Sequence, residues 1–85
     1  MKILHIVRNM TEALPLRVAA EQQERGHEVT LLLLHDAVLR RVEFPGHVLA
    51  CEDDLLARGV AGRYPPAGYR SIVQAIQDHD KVISW

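Results

Sequence analysis

Val29-Thr30-Leu31-Leu32-Leu33-Leu34 is a near-continuous apolar run, and it limits the fold more than any other stretch of the chain. A strand that is apolar on both faces needs cover on both, which is the habit of a parallel sheet held between helical layers. Gly26 just before it is a helix stop. The helix it closes reads back from Arg25 through Ala20, Ala19, Val18 and Leu16 to a first turn that tolerates Pro15, with Thr11 as the expected cap. Ahead of that helix, Ile3 to Val7 is β-rich and reads as a second buried strand.

The pattern continues to the end of the chain. Asp36 is the expected cap of a short helix from Ala37 to Val42, and Pro45-Gly46 turns into a strand from His47 to Ala50. Cys51 to Gly59 reads as a strand end running into a short helix, with Gly59 in the left-handed conformation that ends it. Ala61 to Gly68 has no strand period and carries Pro65-Pro66, so any strand there is short. From Tyr69, Ile72, Val73, Ala75 and Ile76 fall at helical spacing, Asp78-His79-Asp80 ends the helix, and Lys81 to Trp85 is a last short strand. Alternating strands and helices predict a small parallel-sheet, three-layer α/β sandwich of flavodoxin-like type, with helices on both faces. It has five strands, or four if residues 63–68 form none. Residues 1–85 are read as a single domain.

Several function classes drop out on composition. A formal charge of −1 with no Lys/Arg cluster beyond Arg40-Arg41 argues against a nucleic-acid surface. The opening apolar run is too short for a signal peptide, and nothing approaches a membrane span, so no membrane association and a cytoplasmic location are expected. A single cysteine leaves a free thiol, which fits a reducing compartment. The five histidines, His5, His27, His35, His47 and His79, have no metal-ligand spacing, although His5 and His35 lie near strand ends that can approach one another. Neither a metal nor a cofactor is expected. There is no nucleophile elbow, P-loop or glycine-rich dinucleotide turn.

The residue with chemical promise is Cys51, at the seam between a strand and a helix. Unpaired amides there favour a thiolate, whereas Glu52, Asp53 and Asp54 oppose it. Each effect is on the order of ~1 kcal/mol or less, so the sequence leaves the balance open. Cys51 is therefore either a nucleophile or a small buried hydrophobe. The acidic triplet is either a complement to the helix dipole or a patch facing a partner. Trp85 reads as an anchor for the last strand or an interface residue.

Three stretches resemble the small DsrH/TusB sulfur-relay proteins of the DsrE/DsrF/DsrH superfamily. Ile3-Leu4-His5 with its polar turn resembles their opening. Leu31 to Val38 resembles their second strand and the turn after it, with Ala37 where glycine is common. Asp53-Asp54-Leu55-Leu56-Ala57-Arg58-Gly59-Val60 resembles their Asp-Leu-x-Ala-Arg-Gly signature, and the tail from Tyr69 through His79 to Trp85 keeps their spacing and terminal tryptophan. Residues 63–68 depart from the pattern, being shorter and broken by proline. Cys51 departs from the DsrH/TusB branch in another direction. The DsrE/TusD branch places its sulfur-accepting cysteine at the end of the third strand, with Arg-Gly closing the next helix, and Cys51 with Arg58-Gly59 reproduces that spacing.

The resemblance implies a sulfur-relay subunit in tRNA thiolation or sulfur oxidation. Cys51 alone is then the catalytic candidate, accepting sulfane sulfur as a persulfide; Arg58, read from its position, either orients the anionic persulfide or is the exposed basic residue expected near a helix C-terminus. It also implies oligomers, either homomeric or with DsrE/DsrF-like (TusD/TusC-like) subunits, together with sulfur donor and acceptor proteins. The other reading is a non-catalytic assembly subunit with an inert cysteine. A third is a small-ligand domain at the C-terminal ends of the strands. Lys2 to Leu34 also resembles the first βαβ unit of nucleotide-sugar glycosyltransferases, but their glycine pair is missing between Met10 and Leu14.

Overall fold

In the computed structural model, which describes residues 1–85, Lys2–Val7 (β1) and Glu28–Leu33 (β2) pair in parallel along their whole length, Ile3 beside Val29 and Val7 beside Leu33. The 11-residue helix Leu14–Glu24 (α1) connects them. A 3₁₀ turn, His35–Leu39, leads from β2 toward His47–Cys51 (β3). Then follow the short helix Glu52–Ala57 (α2), the two-residue strand Pro66–Ala67 (β4), the helix Tyr69–Asp78 (α3) and Lys81–Ser84 (β5). The five strands form one sheet in the order β4-β3-β2-β1-β5, and every neighbouring pair is parallel.

Strand alternation divides the core into two layers. Ile3, Val7, Val29, Leu31, Leu33 and Ala50 pack with Ala19 of α1, Ala37 and Val38 of the 3₁₀ turn and Leu55 of α2. Leu4 and Leu32 face the other way, against Ile72 and Ala75 of α3. The chain steps from β1 to β4 in one direction and then crosses back to β5 on the far side of β1. With a fixed crossover hand, that reversal carries α3 to the opposite face. This is the three-layer sandwich that the alternating pattern predicts. Its layers are unequal, because α3 alone covers the second face and buries none of its residues fully.

The doubtful segment does form a fifth strand, though only two residues long. Pro65 offers its carbonyl to the Ala50 N–H at 3.1 Å, and β4 lies at the sheet edge, where a proline leaves no ladder partner unsatisfied.

Two helix starts differ from expectation. Thr11 does not cap α1. The helix begins after Ala13, because Asn9 Oδ1 accepts the amides of Thr11 (2.7 Å) and Glu12 (2.9 Å) in a separate turn ahead of it. Asp36 likewise does not cap a helix from Ala37 to Val42. It lies inside the 3₁₀ turn, and its carboxylate is drawn to Arg58. Beyond that turn Tyr64 holds the chain, its hydroxyl donating to the Arg40 carbonyl and accepting the Val42 N–H.

Gly46 is fixed by space rather than by its torsion angles. A Cβ there would lie 2.5 Å from both the Val29 carbonyl oxygen and the Phe44 ring. Only glycine lets the chain pass so close to β2 before entering β3.

Candidate functional site

In a parallel sheet all strand C-termini emerge along one rim, where short connections leave room for a ligand. Cys51 is on that rim, as the last residue of β3 and the residue immediately ahead of α2. It is half-buried and unpaired with any other sulfur. A groove of about 270 Å³ runs from Cys51, Glu52 and Asp53 to Ala67 and Gly68, then to Tyr69 and Ile72 at the start of α3. Tyr69, 83% exposed, stands at its rim.

Burial and Asp54 together set the electrostatics around Cys51. Burial pushes the Cys51 thiol above its ordinary value. The Asp54 amide pulls it back, while the Asp54 carboxylate, as hydrogen-bond acceptor and as a charge, adds to the rise; the Asp53 amide also lowers it. The result is upward, so Cys51 rests as a thiol at neutral pH. The amides at the helix start are outweighed, which the sequence alone left open.

Asp54 has the opposite fate. Burial on its own raises it, but the His35 amide, the Cys51 thiol and the positive charges of His35 and Arg58 together hold the carboxyl below the usual carboxylate range. Its Oδ2 accepts the His35 N–H at 2.8 Å, and its Oδ1 accepts from Arg58 Nη1 at 3.2 Å. His35 turns toward it with a left-handed φ of 53°, uncommon outside glycine. Arg58 also donates Nε to Asp36 Oδ1 at 3.0 Å. Arg58 is therefore shared between two carboxylates and ties the 3₁₀ turn to α2, rather than pointing a free charge at the thiol.

The acidic triplet thus separates into two roles. Asp54 is a hub of hydrogen bonds, whereas Glu52 and Asp53 are exposed along the groove. His5 and His35 do not come together. His5 is buried between Gln22 and Trp85, while His35 is exposed beside Asp54. No group of three or more His, Cys, Asp or Glu side chains is arranged to hold a metal ion.

Two residues of the site carried no distinct signal in the sequence. Tyr69 reads as an ordinary helix start, and only the fold places it opposite Cys51. Asp54 was visible as one acidic residue of three. Its spacing of three from Cys51, the distance at which a residue ahead of a helix meets the first turn, was the available clue.

No family model matches the chain, and no curated protein matches it in sequence. No helix is long and apolar enough to cross a membrane. In three dimensions the chain is similar to the crystal structure of the ychN protein from E. coli, with a TM-score of 0.81 over 99% of this chain and 98% of that one, at 19% identity. That likeness is one of fold: five parallel strands in one sheet with three helices.

Proposed function

We propose that the protein is a sulfur-relay subunit in which Cys51 accepts sulfane sulfur, in keeping with its resemblance to the DsrH/TusB branch. The observation that carries this reading is the position of the thiol, on the strand-end rim and open to a groove, in a fold similar to that of the ychN protein. The step is a thiol exchange. The Cys51 thiolate attacks the outer sulfur of a donor persulfide, a sulfur–sulfur bond forms at Cys51, and the donor's own sulfur–sulfur bond breaks. The donor leaves as a thiolate that takes up a proton, and no net oxidation occurs. Because the resting thiol is protonated, the proton must leave Cys51 before attack. Asp54 is the nearest acceptor, but its depressed basicity makes it a poor one. Entry of the donor, by changing the groove's charge and solvation, supplies the missing driving force in this reading. The acceptor is a second thiol protein in tRNA thiolation or sulfur oxidation, and the working unit is an assembly of like or DsrE/DsrF-like subunits.

One observation favours a second reading. A thiol raised by burial and by a neighbouring carboxylate suits an inert cysteine in a non-catalytic assembly subunit. Intact mass after incubation with a persulfide donor, for the wild type and Cys51→Ser, distinguishes the two. A sulfur-sized increment that reductant removes and the mutant lacks is expected for the relay. No increment on folded protein with several unrelated donors would leave the assembly subunit.

A further inference from the structure

His5 is fully buried on β1, yet both of its ring nitrogens are engaged. Nδ1 faces the indole Nε1 of Trp85 at 2.9 Å, and Nε2 faces Gln22 Oε1 at 2.6 Å. An indole nitrogen can only donate, so Nδ1 must accept. Nδ1 therefore carries no proton, Nε2 carries the only one, and the Gln22 oxygen receives it. The two rings are also stacked, with centroids 6.0 Å apart and planes 21° from parallel. A second proton on His5 would set an N–H of the imidazolium directly against the N–H of Trp85.

Trp85 holds one end of β5. Its amide donates to the Ile6 carbonyl at 2.9 Å, and Arg8 Nε donates to its carbonyl at 3.1 Å. The other end is held separately. Asp80 donates its amide to the Lys2 carbonyl at 2.8 Å and receives the Lys2 amide on Oδ2 at 2.8 Å. β5 pairs only with β1 and has a free outer edge. Between these two end fastenings Lys81 to Ser84 pair with Ile3 to Ile6, and the His5 side chain belongs only to the fastening at Trp85.

We propose that His5 and Trp85 form a proton-sensitive latch: protonation of His5 releases Trp85 and frees the Ser84 end of β5.

The charges around His5 agree with this. On β5, Lys81 is the cation that bears on it and disfavours a second positive charge, and Arg8, just past β1, is fastened to the Trp85 carbonyl. α1 contributes the neutral Gln22, while its charged residues Arg17, Glu21 and Glu24, and Arg25 just past its end, are exposed. On β2 the paired residue is the apolar Leu31. Burial holds the His5 pKa below its ordinary value of 6.5, the Gln22 hydrogen bond opposes that, and Lys81 adds to it. The latch is therefore closed at neutral pH, and it opens only as pH falls below the ordinary imidazole range and through the lowered value.

Trp85 is the only tryptophan, so its fluorescence reports the latch directly. The experiment is a titration of the whole chain from about pH 7.5 to about pH 4, a range that brackets the ordinary imidazole value. It follows indole emission, quencher access and the indole N–H resonance beside far-UV circular dichroism. Loss of the indole resonance and increased quenching, with the dichroism retained, is the expected result. In His5→Gln, which keeps an acceptor for the indole without a titrating ring, the transition should vanish. An unchanged indole signal in the wild type, a transition that persists in His5→Gln, or loss of dichroism at the same midpoint would each overturn the latch. Should His5→Gln fail to fold, Trp85→Phe followed by the His5 ring resonances decides. Removing the donor should move His5 protonation to higher pH, and an unmoved midpoint overturns the proposal.

Discussion

The Asp54 carboxylate, three residues beyond Cys51 in the first turn of α2, adds to the burial that keeps the Cys51 thiol protonated. Asp54→Asn removes the charge while keeping most of the shape. The pH profile of Cys51 alkylation should then move to lower pH, with faster reaction at neutral pH than in the wild type. The same change weakens the contact with Arg58, whose partner is mostly buried, so a loss of about 1 kcal/mol in denaturant stability is expected alongside. An alkylation profile that stays in place would remove Asp54 from the account of the thiol.

Tyr64 predicts a purely structural effect. Tyr64→Phe leaves the Arg40 carbonyl and the Val42 amide without the hydroxyl that serves both. A loss of about 1–3 kcal/mol is expected in urea unfolding. Hydrogen exchange at Val42 should rise with it.

Gly46→Ala tests a close approach. The added methyl would meet the Val29 carbonyl oxygen, which belongs to the central part of the sheet and cannot give way easily. Destabilisation of about 1–3 kcal/mol follows from overpacking of this kind, measured by chemical denaturation.

Leu55 and Leu56 are adjacent in α2 and opposite in environment. Leu55 is buried in the core beside Ala50, while Leu56 is 60% exposed. Leu55→Ala should cost about 2–5 kcal/mol and Leu56→Ala no more than about 0.5 kcal/mol. Equal effects would mean that α2 is rotated from the orientation described.

Much of the architecture was legible because the signals were physical necessities. An apolar run such as Leu31 to Leu34 has few homes other than a covered sheet, and Gly26 and Gly59, with φ of 90° and 69°, end their helices as read. Helix starts were less legible, since Asn9 and Asp36 have side chains that serve a turn or an ion pair as readily as a cap. At the candidate site, Cys51 was visible as a lone thiol at a strand end, but the direction of its pKa was not. That depends on burial and on how Asp54 is turned, and both are set by His35 and Arg58 from elsewhere in the fold. The pairing of His5 with Trp85 was equally hidden, because 80 positions separate them and neither residue type announces the other.

The placement of β5 beside β1 has a consequence in time. β1, α1 and β2 are consecutive and can assemble as a unit, but one flank of β1 waits for a segment that follows the other four strands in the chain. Closing so long a loop carries an entropic penalty before any contact compensates, so the final pairing is expected late in folding. Substitutions in β5 should then change the unfolding rate far more than the folding rate, with φ-values near zero, while those in β1 and β2 should slow folding itself. Until β5 arrives, a growing chain exposes the unpaired N–H and C=O groups on that flank of β1, and the speed of its arrival governs how long the newborn protein is open to wrong partners.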